Sequence, residues 1–432
     1  MPVAFILCSR VLTAGLALSF LAAPLAAQAQ GDKVRNLPKT KRQAAAPAPA
    51  PRPAAPLRDG HAEQKLVEVY RLTAAGKTRE ALAHAEALVR EHPNFQLAQL
   101  ALGDLLAARV RPIKQLGDVP TQNDAPPPAG AGDVLADLRA ESRQRTDALR
   151  SRPHARAIPA QFLELSARTR HAIAVDASRS RLYLFENTAN GLELIADYYS
   201  SVGKLGIEKF VEGDQRTPLG VYYITSRLDP ATLKDFYGAG ALPINYPNPL
   251  DVSRGKTGSG IWLHGTPSDQ FSRAPLATDG CLALANPDLE RILRTVEPRT
   301  TPVLIAKQLQ WVQPQALQTE RRAFEAVLDG WRAAKSRGDM QGLLRFYAPD
   351  FQSYKNMPLA QWSQILESES RALKGRDITL KDKSYLRWTD AADTMVVTFG
   401  EVAEGARTGP VKRQYWMRKG QQWQIFFEGV IG

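Results

Sequence analysis

Apolar residues recur at helical spacing early in the chain and at alternating spacing later, and that switch divides it. Leu66, Val69, Tyr70 and Thr73 follow a helical period, Gly76 interrupts it, and Ala81, Leu82, Ala85, Leu88 and Val89 take it up again. His92-Pro93 ends that run before Leu97 to Ala108 begins another. Val134 to Arg150 reads as one more, strongly charged helix. From His171 the period becomes two. His171 to Asp176 and Arg181 to Glu186 are β-rich runs joined by a turn, followed by Leu192 to Ser201 and Gly220 to Ser226. Short strands with glycine-rich turns predict a small, mostly β domain that ends near Lys307. Beyond it, Phe324 to Ser336 and Met340 to Tyr347 read as helices. Thr379 to Trp388, Thr394 to Glu401, Val411 to Arg418 and Gln421 to Glu428 then read as strands, which predicts an α+β cone.

The stretches between these patterns mark the boundaries. Residues 1–29 run from Arg10 through the apolar Val11 to Ala23 to the small-residue site Ala27-Gln28-Ala29, the layout of a secretory signal peptide. No later segment approaches the roughly 20 apolar residues that a membrane span requires. Residues 43–57 are rich in alanine and proline, which favours an extended, semi-rigid linker. Thr121 to Asp133, with Pro126-Pro127-Pro128, is a second low-complexity stretch. The expected organisation is a signal peptide at 1–29, a basic linker at 30–60, and a helical module with a Pro-rich insert at 61–155. A mostly β domain at 168–307 and an α+β domain at 318–432 complete the 432 residues.

Charge and cysteine content narrow the chemistry. Lys and Arg number 56 against 44 Asp and Glu, a formal net charge of +12, of which loss of residues 1–29 removes only Arg10. Much of the excess (Lys33, Arg35, Lys39, Lys41, Arg42, Arg52 and Arg58 against Asp32 and Asp59) lies in the linker. An exported basic tail points to anionic envelope polymers rather than nucleic acid, or simply to solubility. Cys8 leaves with the signal peptide, so Cys281 stands alone. A single thiol in an oxidising compartment forms no internal disulfide and asks for another role, either catalysis or inert burial.

Ile261-Trp-Leu-His-Gly-Thr-Pro is followed by Thr278-Asp-Gly-Cys-Leu-Ala-Leu, so His264 and Cys281 are seventeen positions apart, room for a strand, a loop and a return. Acyl transfer by cysteine needs a base beside the thiol and donors for the tetrahedral oxyanion, and the Asp279-Gly280-Cys281 turn offers backbone N–H groups. The His-Gly-Thr-Pro segment and the Thr-Asp-Gly-Cys turn, with Ser201-Val-Gly-Lys-Leu-Gly and the run from Lys209 through Arg216-Thr217-Pro218-Leu-Gly220, resemble the YkuD-type L,D-transpeptidases over about residues 170 to 307. The resemblance implies Cys281 as nucleophile, His264 as general base and acid, the Gly265 carbonyl orienting the imidazole, and Gly280 with Cys281 as oxyanion donors. It implies attack on the diaminopimelate–D-alanine bond of peptidoglycan stem peptides in the periplasm, with no metal or other cofactor. Lys209, Arg216, Thr217, Trp262, Thr278 and Asp279 are candidates for substrate contact, each also readable as a turn, a solvated charge or core. Many family members carry arginine two positions after the cysteine and histidine two before it, where this chain has Ala283 and Asp279.

Phe324, Trp331, Asp339, Phe346-Tyr347 and Asp350-Phe351 resemble the NTF2-like fold, whose pocket would take a small ligand, a glycan or a protein. Trp388, Tyr415, Trp416, Trp423 and Phe426 are expected mostly to fill its cone. Gly76, Ala81, Pro93, Leu102 and Gly103 resemble a tetratricopeptide repeat, of which one and a half units cannot bury a core alone, so the module is expected to dock on the chain or self-associate. The order of helical (TPR-like) module, mostly-β YkuD-type domain and NTF2-like domain resembles the cell-shape L,D-carboxypeptidases, whose helical part pairs two subunits. Three readings stand: an L,D-transpeptidase, an L,D-carboxypeptidase trimming tetrapeptide to tripeptide, or a non-catalytic peptidoglycan-binding adaptor.

Overall fold

A computed structural model describes residues 58–118, 131–389 and 393–431. The segment expected to be a signal peptide, most of the expected basic linker and most of the Pro-rich insert lie outside the described residues, which belong to one compact unit, Ala54–Gly432. The helical region comprises α1 (His61–Ala74), α2 (Thr78–Glu91), α3 (Gln96–Ala107) and α4 (Ala131–Arg150). The positions at helical spacing form its core, with Leu66, Val69, Ala81, Ala85, Leu88, Leu97 and Leu105 all buried. The same cluster takes in Phe271 and Ala285 from the β-rich domain, so this module docks within its own chain. No described helix is long and apolar enough to cross a membrane.

The β-rich domain is built on β1 (His171–Asp176), β2 (Arg181–Thr188), β3 (Gly191–Tyr199), β4 (Gly220–Tyr223) and, late in the chain, Pro302–Ala306. The last of these pairs parallel to β1 and antiparallel to β4. A two-residue strand, Arg58–Asp59, closes the far edge by pairing with Ala196 and Asp197. The linker assigned to 30–60 thus contributes its final residues to this sheet. Beside it lies a smaller sheet with Trp262–His264 in the middle, between Leu282–Ala283 and Ala241–Pro243. Helix Asn286–Thr295 follows the cysteine turn.

The C-terminal domain opens with α-helix Gln318–Arg337 and a short helix that stops at Leu344 rather than Tyr347. Tyr347 instead starts a strand, Tyr347–Ser353, followed by an unexpected helix, Leu359–Leu373, and four antiparallel strands from Ile378 to Val430. A sixth strand, Phe162–Glu164, joins the Ile378–Trp388 edge from far upstream. The sheet is apolar on both faces, and this corrects the expectation for its aromatics. Trp416 is buried inside the cone with Phe324, Trp331 and Phe399, and Trp423 packs at its margin. Trp388, Tyr415 and Phe426 face the other way and join the core of the β-rich domain with Tyr222, Tyr246 and Leu250. Arg413 adds its guanidinium over the Tyr223 ring at 3.3 Å.

Within the cone two lysines are almost wholly buried. Lys335 meets Glu369 at 2.6 Å and Glu401 at 2.7 Å, and Lys412 meets Glu369, Glu401 and Glu428 at 3.0, 3.2 and 3.3 Å. Glu428 also accepts from the Tyr347 hydroxyl and from Gln414. Buried lysines stay charged only beside such carboxylates, and Lys412 is held well above its ordinary range by them.

Candidate active site

The parallel pairing of Trp262–His264 with Leu282–Ala283 sets the site. His264 lies opposite Ala283, and Cys281 stands in the bend just before that strand, with its sulfur against the Trp262 N–H two residues before His264. Backbone bonds lock the sheet, with Leu284 N–H donating to the His264 carbonyl at 2.9 Å and Ser201 N–H to the Ala283 carbonyl at 2.9 Å.

His264 is buried, and its Nδ1 is 2.7 Å from the Gly265 carbonyl. A carbonyl only accepts, so Nδ1 carries the proton and Nε2 keeps its lone pair. Burial depresses the imidazole to about 4, against the pull of the Gly265 carbonyl, and the charge of Arg273 lowers it further. The Gly265 position tolerates no side chain, since a Cβ there would sit 2.0 Å from Asn286 Oδ1. Asn286 accepts from the Ala239 and Thr266 N–H groups at 2.9 and 3.2 Å and donates to the Thr266 carbonyl at 2.9 Å. It holds the strand end that aims His264, a role invisible in the sequence although Asn286 follows the cysteine motif closely.

Cys281 is half-buried, with Sγ 3.4 Å from the Trp262 N–H and 3.4 Å from the Gly260 carbonyl. Burial pushes the thiol up to about 11. The Trp262 N–H opposes that, Asp279 adds to it, and Arg273 and Lys209 draw it down. At neutral pH the Cys281 group is therefore a thiol and the His264 group a neutral imidazole.

The turn before the cysteine is tied on three sides. Gly280 has φ 122°, which glycine adopts readily, and a Cβ there would approach the Arg216 carbonyl to 2.6 Å. Its carbonyl accepts from Thr217 Oγ1 at 2.9 Å, and Thr217 accepts in turn from the Gly203 N–H at 2.9 Å. Thr278 Oγ1 donates to the Cys281 carbonyl at 2.7 Å and accepts from the Gly280 N–H at 3.1 Å. To serve an oxyanion, that N–H would have to exchange this partner.

Several expected substrate contacts take other roles. Lys209 is buried, ion-paired to Asp214 at 2.8 Å and bonded to the Val211 carbonyl, so its charge is spent inside the protein. Thr217 and Thr278 are buried in the turn scaffold just described. Asp279 is exposed, 3.0 Å from both Lys204 and Gln215. Arg216 is exposed and donates to the Ile207 carbonyl. Trp262 is half-buried and packs on Tyr237 at 4.9 Å, while Tyr237 and Phe236 flank His264 at 5.2 and 5.8 Å. This aromatic wall went unread in the sequence because Phe236-Tyr237 carries no periodic signal.

Residues 170–305 match the model of the L,D-transpeptidase catalytic domain, YkuD, and residues 323–429 that of the Cds6 C-terminal NTF2-like domain. No curated protein matches the sequence. Among solved structures, Bd1075 of Bdellovibrio bacteriovorus aligns at 24% identity and TM-score 0.55, over 64% of this chain and 98% of its own, a likeness of fold. The helical cell shape determining protein Pgp2 of Campylobacter jejuni aligns at 21% identity and TM-score 0.49, over 67% of this chain and 98% of its own. The chain thus carries a YkuD-family L,D-transpeptidase catalytic domain joined to a Cds6-type NTF2-like domain.

Proposed function

We propose that this chain is an exported, periplasmic enzyme that remodels peptidoglycan by cysteine acyl transfer, of the L,D-transpeptidase type. The observation that carries the reading is the His264 tautomer: Nδ1–H bound to the Gly265 carbonyl leaves Nε2 basic on a strand whose Trp262 N–H touches the Cys281 sulfur. Cys281 Sγ attacks the carbonyl between diaminopimelate and the terminal D-alanine as Nε2 takes the thiol proton. The C–N bond then breaks, the same proton goes to the leaving amine, and a thioester remains. An amine of a second stem peptide or water resolves it, and His264 takes the proton of the incoming nucleophile and returns it to the sulfur. The Cys281 N–H, with that of Gly280 after exchange of its Thr278 bond, would face the oxyanion. The helical region, with its tetratricopeptide-like spacing, acts in this reading as a docking element.

The carboxypeptidase outcome has its own support, because Ala283 is buried in the strand where a cation would help seat an acceptor peptide. Incubation of the mature protein with disaccharide tetrapeptide, with Cys281→Ala as control, separates the cases by mass spectrometry. Cross-linked dimer establishes transpeptidation, and tripeptide alone establishes hydrolysis. Product from neither protein would sink both and leave the adaptor reading.

A further inference from the structure

Between His264 and Cys281 the chain makes a loop that the helical region grips from outside. Phe271 stacks on Phe95 at 4.2 Å, and its N–H donates to the Asn94 carbonyl at 3.1 Å. Ser272 Oγ donates to Glu141 of α4 at 2.7 Å. The next residue is Arg273. Its carbonyl accepts from the Tyr199 hydroxyl at 2.8 Å and from Ser201 Oγ at 3.1 Å, and Arg145 of α4 lies over the Tyr199 ring at 4.1 Å. The Arg273 backbone is therefore fixed from both the helical region and the sheet.

Its side chain is another matter. The guanidinium lies over the exposed Phe236 ring at 4.2 Å, and that ring flanks His264 at 5.8 Å. Arg273 Nε is buried with no hydrogen-bond partner, and no described carboxylate forms an ion pair with the group. A half-buried, immobilised arginine with an unpartnered donor is costly unless an acceptor arrives. Of the other cations near the turn, Lys209 and Lys204 are already committed to Asp214 and Asp279, and Arg216 donates to the Ile207 carbonyl. The charge of Arg273 also lowers both Cys281 and His264.

We propose that Arg273 is a specificity-determining residue that binds the free terminal carboxylate of the peptide residue released at Cys281. This rests on the acyl-transfer reading above. In the substrate that carboxylate is one carbon beyond the scissile nitrogen, and a guanidinium fork matches it in two parallel bonds. The site therefore selects peptides that end one residue after the attacked carbonyl.

The test measures binding apart from turnover. Cys281→Ala protein is titrated calorimetrically with the disaccharide tetrapeptide and with its C-terminal amide, alongside the Cys281→Ala/Arg273→Gln and Cys281→Ala/Arg273→Lys proteins. Loss of a charged hydrogen-bonded contact predicts binding of the free acid about 10- to 100-fold weaker in the Gln variant, with partial recovery in the Lys variant. The amide should bind the parent about as weakly as the acid binds the Gln variant, and the substitution should change amide binding little. Equal losses for acid and amide, or no loss for either, overturn the proposal. If the parent binds the acid selectively and the Gln variant loses that selectivity but wild-type protein never turns it over, the acyl-transfer reading falls and carboxylate binding by Arg273 stands without it. No binding by the parent defeats both.

Discussion

Phe95, between α2 and α3, stacks on Phe271 of the loop that joins His264 to Cys281, with ring centroids 4.2 Å apart and both side chains buried. The helical region is thus part of the wall behind the site. Phe95→Ala should lower stability by about 3–5 kcal/mol, the range for truncating a buried aromatic. Faster hydrogen exchange at residues 266–273 should accompany the drop in the first thermal transition, and unchanged exchange there would count against the coupling.

Catalysis should tolerate acid better than a free histidine would allow. His264 is depressed to about 4 by burial, so Nε2 stays a competent base until the pH falls towards that value. The acid limb of kcat/KM is expected below about pH 5 rather than near the ordinary histidine value of about 6.5. A limb near 6.5 would mean that substrate does not meet the buried imidazole described here.

The turn scaffold should matter to rate beyond its worth in stability. Thr217→Val removes one bond to the Gly203 N–H and one to the Gly280 carbonyl, at a cost of about 1–3 kcal/mol. Gly280→Ala should be worse, because its Cβ meets the Arg216 carbonyl at a φ of 122°. Both should slow turnover of peptide more than they slow reaction of Cys281 with small thiol reagents, read by mass spectrometry.

Asp288 gives the helical contact a pH dependence. Its carboxyl lies against the start of α1, where a Cβ on Gly60 would be 2.7 Å from Oδ1, and burial with the nearby Glu63 raises it to about 7. A folded state that holds this proton more tightly than the unfolded chain loses stability as pH rises from about 4 to about 7. Asp288→Asn should flatten that slope in thermal unfolding measured from pH 5 to pH 8, and an unchanged slope would assign it elsewhere. Arg145, Arg181 and Arg291 also face this carboxyl and work against the rise.

Lys335→Ala should destabilise the C-terminal domain by about 3–5 kcal/mol, since it strips a buried cation from Glu401 and Glu369. Acid should act in the same direction. Glu369 is lowered to about 2 by its two lysines despite burial, so the stability it adds is complete above the ordinary glutamate range and is lost as pH falls towards 2. Near-ultraviolet circular dichroism of the Trp331 and Trp416 environment is a suitable probe.

Much of the site was legible because its chemistry is local in sequence. His264-Gly265 and Thr278-Asp279-Gly280-Cys281 are short runs whose glycines are demanded by the contacts of Asn286 and Arg216. Arg273 and Asn286 were not legible, since an arginine in a loop looks solvated until Phe236 and the helical region are seen around it. Lys209 misled for the opposite reason: its partner Asp214 is five residues away, but its burial depends on the fold. In the C-terminal domain alternation located the strands and could not say that both faces are covered. That is why Trp388, Tyr415 and Phe426 turned out to face the catalytic core.

The strand Phe162–Glu164 precedes the catalytic domain yet pairs with Tyr385 and Leu386, more than two hundred residues later. Ile158–Pro159 likewise pairs with Trp311–Val312. A chain emerging amino end first holds this segment unpaired until almost all of it has appeared, whereas most multidomain chains finish one unit before the next. The pairing of this segment therefore waits for the last sheet. A fragment begun at residue 318 would lack that strand and expose the Ile378–Trp388 edge to pairing with other chains.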